Sequence, residues 1–131
     1  MIHLTNKKIL AVEISTCSRF LKFHTDKGIF TYYADGDCAF SYFYQVEGFH
    51  GMSGATCFDV DMGEVKRQSS HDDCYCLDTQ FIRLAFLGKG HATIEMRTEH
   101  NGYYFGHAVL VDQTNHWAPA PDNRTVWSKL S

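Results

Sequence analysis

With 131 residues and a formal charge of −3 at neutral pH, the chain has the length of one domain, enough to bury about two-thirds of its unfolded surface. So mild an acidity argues against nucleic acid as the partner and falls short of the charge density of a DNA mimic. An aromatic share of 15% with only two prolines favours β structure with large side chains in its core.

No apolar run is long enough to span a bilayer, and residues 1–16 lack the layout of a signal peptide, so no membrane association is expected. Five cysteines, an odd number without a secretory signal, point to a reducing cytoplasm and free thiols.

In chain order, Lys8 to Ile14 alternates with Leu10, Val12 and Ile14 on one face and reads as a strand. Cys17 to Thr25 and Gly28 to Ala34 form a hairpin about Asp26-Lys27. Pairing Phe23 with Phe30 and Leu21 with Tyr32 makes one face apolar, while Lys22, His24 and Thr31 take the other. Asp35-Gly36-Asp37 is a turn cluster. Over Ala39 to Glu47 the period changes. Phe40, Phe43 and Tyr44 follow i, i+3, i+4 spacing, Asp37 is a candidate cap and Gly48 a C-terminal stop. This predicts a short helix, with a strand as its competitor. The glycine-rich GFHGMSGA is a turned connection. Thr56 to Met62 alternates again, with Thr56, Phe58, Val60 and Met62 opposite Cys57, Asp59 and Asp61. The polar stretch Gly63 to Thr79 predicts a long loop.

Gln80 to Asp112 holds three alternating runs joined by two glycine-bearing turns. A loop at Gly88-Lys89-Gly90 pairs Phe86 with Ala92, Leu84 with Ile94 and Ile82 with Met96. The second turn, Asn101-Gly102, is a two-residue hairpin signal that sets Met96 opposite His107, Ile94 opposite Val109 and Ala92 opposite Val111. Both turns put Ala92, Ile94 and Met96 on one buried face. The reverse face carries Arg83, Thr93, Glu95 and Arg97, then Gly106, Ala108 and Leu110, so the third strand is expected to be covered on both sides. The expected fold is α+β, mainly antiparallel β in hairpins and a three-stranded meander, with one short helix. Residues 1–112 form the domain and 113–131 an extended C-terminal arm.

The run FLKFHTDKGIFTYYADGDC, an aromatic segment ending QVEGF, a strand opening on GAT, and IEMRTEHNGYYFG together resemble a family of small bacteriophage-associated proteins, found in phages and in bacterial genomes that carry phage genes. A DGDC segment and an NGYY turn, here Asn101 to Tyr104, mark it. The chain departs from the pattern where Ala39 follows Cys38 in place of a second cysteine, and where Phe105 comes before Gly106. The family brings no reaction with it. The resemblance therefore implies a phage origin, a β-rich fold and a location inside the bacterial host cell.

His71, Cys74 and Cys76 form the one metal-like cluster, since thiolates and imidazole suit zinc. Cys-x-Cys is tighter than the usual zinc spacing and no second pair accompanies it, so no cofactor is expected and the competing reading is a solvent loop with incidental thiols. His107 is expected on the core face, as a histidine bonded to a backbone carbonyl, because no nucleophile or oxyanion element accompanies it. The zinc-deaminase pattern and a phosphate-cradling glycine loop are both missing. The aromatic set Tyr32, Tyr33, Phe40, Tyr42, Phe43 and Tyr44 is a candidate lining for a pocket that takes a planar ligand such as a nucleotide base, with Arg19 and Arg97 at its rim. Arg19, Tyr33, Tyr42, Tyr44 and Arg97 are the candidate ligand contacts. The competing reading for these aromatics is core. Trp117 and Trp127, among polar residues and prolines, are candidates for partner contact, or else for folding back over the third strand. The leading expectation is a non-enzymatic accessory protein that binds a host or phage protein, with inhibition of a bacterial defence as its purpose. A small-ligand binder that sequesters a nucleotide signal and a zinc-dependent enzyme are the alternatives.

Overall fold

The computed structural model describes residues 1–36, 39–69, 75–101, 106–111 and 119–130. The alternating runs become strands. They are β1 (Lys7–Ser15), β2 (Phe20–Thr25), β3 (Gly28–Asp35), β4 (Phe40–Glu47), β5 (Ala55–Ser69), β6 (Cys76–Phe86), β7 (Gly90–His100), β8 (His107–Leu110) and β9 (Trp127–Lys129). All belong to one sheet in the order β4-β7-β6-β5-β1-β2-β3-β8, with β9 added to β1, and every pairing is antiparallel. The architecture is thus mainly antiparallel β. The helical content among the described residues is one 3-10 turn at Ile2–Leu4.

The β2–β3 hairpin has the expected register, Phe23 against Phe30 and Leu21 against Tyr32. The helix expected over residues 39–47 is instead strand β4. Phe43 pairs with Met96 and Gln45 with Glu95, so Tyr44 is an extra residue in a bulge. Phe40 and Phe43 lie on opposite faces of this strand, Phe43 buried and Phe40 and Tyr44 exposed, so the i, i+3, i+4 spacing marks no common face. Asp37, the expected cap, lies outside the described residues. The loop expected over 63–79 is also different, because β5 runs on to Ser69 and β6 begins at Cys76. In β1 a bulge at Leu10 leaves that residue exposed and turns Ile9 inward beside Val12.

The meander register needs correction. β6 and β7 close around Leu87–Lys89, pairing Phe86 with Gly90, Leu84 with Ala92 and Ile82 with Ile94. This is two residues away from the predicted register. The apolar face is unchanged, because side chains repeat every two residues. The predicted β7–β8 hairpin does not form. The free edge of β7 pairs with β4, putting Ile94 against Val46, and β8 pairs with β3, putting Val109 against Tyr33. Gly102, the second residue of the expected turn, lies outside the described residues.

Leu4, Ile9, Val12, Leu21, Phe23, Tyr32, Phe43, Phe49, Ile82, Leu84, Phe86, Ile94 and Met96 fill the interior. The sheet curls around them until β4, one edge, packs against β2 and β3 near the other. Between these edges runs a seam. The Phe43 amide donates to the Ser18 carbonyl at 2.8 Å, and Gly106, just before β8, sits against the Ser41–Thr98 hydroxyl pair. A Cβ at Gly106 would overlap both hydroxyl oxygens. The absence of a side chain permits the approach.

The C-terminal stretch expected as an extended arm ends on the sheet. Trp127 pairs with Ser15 and Lys129 with Glu13, the Leu130 amide donates to the Val12 carbonyl at 2.8 Å, and Leu130 packs against the core. Its contact is with β1 rather than β8.

Candidate functional site

Along β4 the outward residues before the bulge are Phe40 and Tyr42, and Tyr44 in the bulge continues on the same side. Their rings follow one another, Phe40 to Tyr42 at 5.1 Å and Tyr42 to Tyr44 at 6.5 Å between centroids. Phe40 is 50% exposed and Tyr44 52%. Each end of this row carries a guanidinium. Arg97 on β7 lies over the Tyr44 ring, 3.4 Å from its centre. Arg19, at the entry to β2, bridges the seam, with its guanidinium carbon 4.8 Å from the centre of Tyr33 and 5.3 Å from that of Phe40. It also donates to the Tyr33 hydroxyl and to the Ala34 carbonyl.

The row continues past the seam. Tyr33 packs on Phe20 at 5.3 Å, Phe20 on Trp127 at 6.5 Å, and the Lys22 ammonium stands 3.8 Å over Trp127. The fold therefore brings Arg19, Tyr33, Tyr42, Tyr44, Arg97 and Trp127 into one belt on the outer wall. Phe40 and Phe20 link them. Trp117 lies outside the described residues.

The charge of Arg97 is neutralised beside the belt, and the Lys22 ammonium stands 3.8 Å from Glu13. Arg97 donates from Nε to Glu95 at 2.5 Å, and the Tyr75 hydroxyl donates to Glu99 at 2.8 Å. Burial raises the pKa of the Tyr42 phenol, and Glu99 beside it adds to the rise. The Tyr75 phenol is raised chiefly by its hydrogen bond to Glu99. Both phenols therefore stay protonated at neutral pH. Flat, part-exposed rings with polar tips and stacked cations suit recognition of a planar or apolar surface more than proton transfer.

A second polar group sits where β5, β6 and β7 meet, with Asp78 and His100 buried and Arg67 exposed. Asp78 accepts from Arg67 Nε at 2.8 Å and lies 2.9 Å from His100 Nε2. Burial alone would raise the Asp78 pKa, but Arg67 and His100 outweigh it and the carboxyl is held below its ordinary value. Next to them the Ser41 and Thr98 hydroxyls are 2.7 Å apart.

Of the metal-like cluster, His71 and Cys74 lie outside the described residues. Cys76 is buried at the start of β6, paired across the ladder with His100, its sulfur 3.5 Å from Ser69 Oγ. Among the described residues no three His, Cys, Asp or Glu side chains are arranged to hold a metal. The core position expected for His107 is corrected: its side chain is 58% exposed and 3.6 Å from Asp35, because β8 has left β7 for β3. Among the described residues no helix is long and apolar enough to cross a membrane.

Of the aromatic set read from the sequence, Tyr32 and Phe43 are core, and the outward members Phe40, Tyr42 and Tyr44 follow a two-residue alternation that becomes informative once the segment is read as a strand. Phe20 is absent from that set. No family model, curated protein or solved structure matches the chain.

Proposed function

We propose that this chain is a non-enzymatic, phage-associated accessory protein that captures a host or phage protein on its aromatic–arginine belt, with inhibition of a bacterial defence as the purpose. The observation that carries the reading is the belt itself. Aromatic rings and arginines are the residue types that dominate protein–protein hot spots, and here they run unbroken from Trp127 to Arg97. At the Arg97 end the pairing with Glu95 and the nearness of Glu99 leave little positive charge for a phosphate. At the other end the Arg19 guanidinium is engaged by the Tyr33 hydroxyl and the Ala34 carbonyl, which again favours a protein over a nucleotide. The phage setting rests on the sequence resemblance alone.

The second reading, sequestration of a small nucleotide signal, is supported by the stacking faces of Phe40, Tyr42 and Tyr44 and by the two guanidiniums. The test uses wild type and a Phe40→Ala/Tyr44→Ala variant as bait in lysates of phage-infected and uninfected bacteria, with purified nucleotides titrated in parallel. Capture of one defined protein by wild type but not by the variant supports the leading reading. Saturable nucleotide binding that the variant loses supports the second. Equal behaviour of the two baits in both assays defeats the belt as the site.

A further inference from the structure

We propose that two copies of this chain pair edge to edge through β5, in antiparallel register, as a symmetric dimer. β6 lines one edge of β5 from Cys57 to Ser69. The other edge meets β1 only at Ala55, Thr56 and Cys57. From Phe58 to Ser69 no described strand lies beside it. An edge of that length presents a row of backbone donors and acceptors to any strand that can align with it.

The order of charges indicates a second copy as the occupant. Asp59, Asp61 and Glu64 precede Lys66, while Arg67 beyond it is held by Asp78, so the strand is acidic in its first half and offers the Lys66 cation in its second. A two-fold axis reverses one copy against the other and sets acid against base.

A bulge decides the register. Met62 matches Ile82 and Val65 matches Gln80, so Gly63 and Glu64 together stand opposite one β6 residue. Met62 and Val65 thereby share a face, whereas in an unbulged strand residues three apart point to opposite faces. Asp61 and Lys66 share the other face, matching Arg83 and Thr79. With the axis between Gly63 and Glu64, Met62 falls opposite the second copy's Val65, and Asp61 opposite its Lys66. Each pair occurs twice. Met62 is 38% exposed and Val65 48%, and Asp61 and Lys66 are both open to solvent. Glu64 meets Gly63 of the second copy, which has no side chain to clash.

Bulges and charges often protect an edge from strand addition. Here they select one self-pairing. A two-residue slip one way sets Asp61 against Glu64, and the other way sets Met62 against Arg67.

Sedimentation velocity on the full chain tests the proposal. Wild type is expected to sediment as two chains, while Lys66→Glu and Asp61→Lys, each opposing like charges twice, sediment as one. An equimolar mixture of the two variants is expected to recover the two-chain species, because the mixed pair again sets an acid against a base at both positions. That recovery also shows that both variants are folded. The proposal is overturned if wild type stays a single chain up to its solubility limit, if either variant alone remains two-chain, or if the mixture stays single-chain.

Discussion

The guanidinium carbon of Arg97 lies over the Tyr44 ring, 3.4 Å from its centre, while its Nε is held by Glu95. Tyr44 continues the outward alternation of Phe40 and Tyr42, and the extra residue in the bulge turns Gln45 to that side as well, opposite Glu95.

Replacing Arg97 with alanine should cost about 0.5–1 kcal/mol, the scale of an exposed cation–π contact. Tyr44→Ala should cost a similar amount. A double-mutant cycle in urea should show the two losses to be coupled. Additive losses would mean that the stack contributes nothing.

The interior should respond differently. Leu84 is fully buried between Val60 and Ala92, and Leu84→Ala should cost about 2–5 kcal/mol. Phe81, next along β6 but outward and half-exposed, should tolerate alanine within about 0.5 kcal/mol. Urea midpoints at unchanged slope would separate the two positions.

These outcomes bear on how much of the fold was legible. The β2–β3 register could be read because Asp26-Lys27 closes it locally and one pairing alone matches aromatic to aromatic. In β6 and β7 the apolar residues could be placed but not their partners, since a slip of two preserves every inward position. Asn101-Gly102 suggested a local hairpin, yet β7 already had a better partner in β4, far away in sequence. Bulges hid the rest. Those at Leu10, Tyr44 and Phe58 each break an alternation, and an isolated strand does not reveal where its partner skips a residue. The belt's members could be named from residue type, but their contiguity depends on the curl of the sheet, which brings Arg19 to Phe40.

Asp78 gives the fold an acid dependence of known sign. Its carboxyl is depressed in the folded state by Arg67 and His100, so the folded form binds this proton less readily than the unfolded form. The stabilisation is present above the ordinary carboxylate pKa and is lost as pH falls through the depressed folded value. Asp78→Asn should cost about 1.5–3 kcal/mol at neutral pH, the scale of hydrogen bonds to a charged group. The gap between variant and wild type should narrow in acid. A gap that is constant with pH would show that the charge does not matter.

Gly106 should be intolerant of any side chain. Gly106→Ala would push against the oxygens of the buried Ser41 and Thr98, and overpacking of this kind costs about 1–3 kcal/mol. Pairing it with Ser41→Gly should recover part of that loss in thermal melts. No recovery would place the strain elsewhere.

Around most of this wall, neighbouring strands are joined by ladders of backbone hydrogen bonds. At the seam, the described contacts are instead a glycine fit, ring faces, Arg19 and the Phe43–Ser18 bond. The molecule is in this respect a sleeve with a lengthwise slit. Bending the slit open breaks no ladder among the described residues, and so requires far less than unfolding. Deuterium should reach the Phe43 amide sooner than the equally buried amides of Ile82 and Ile94, which sit mid-wall.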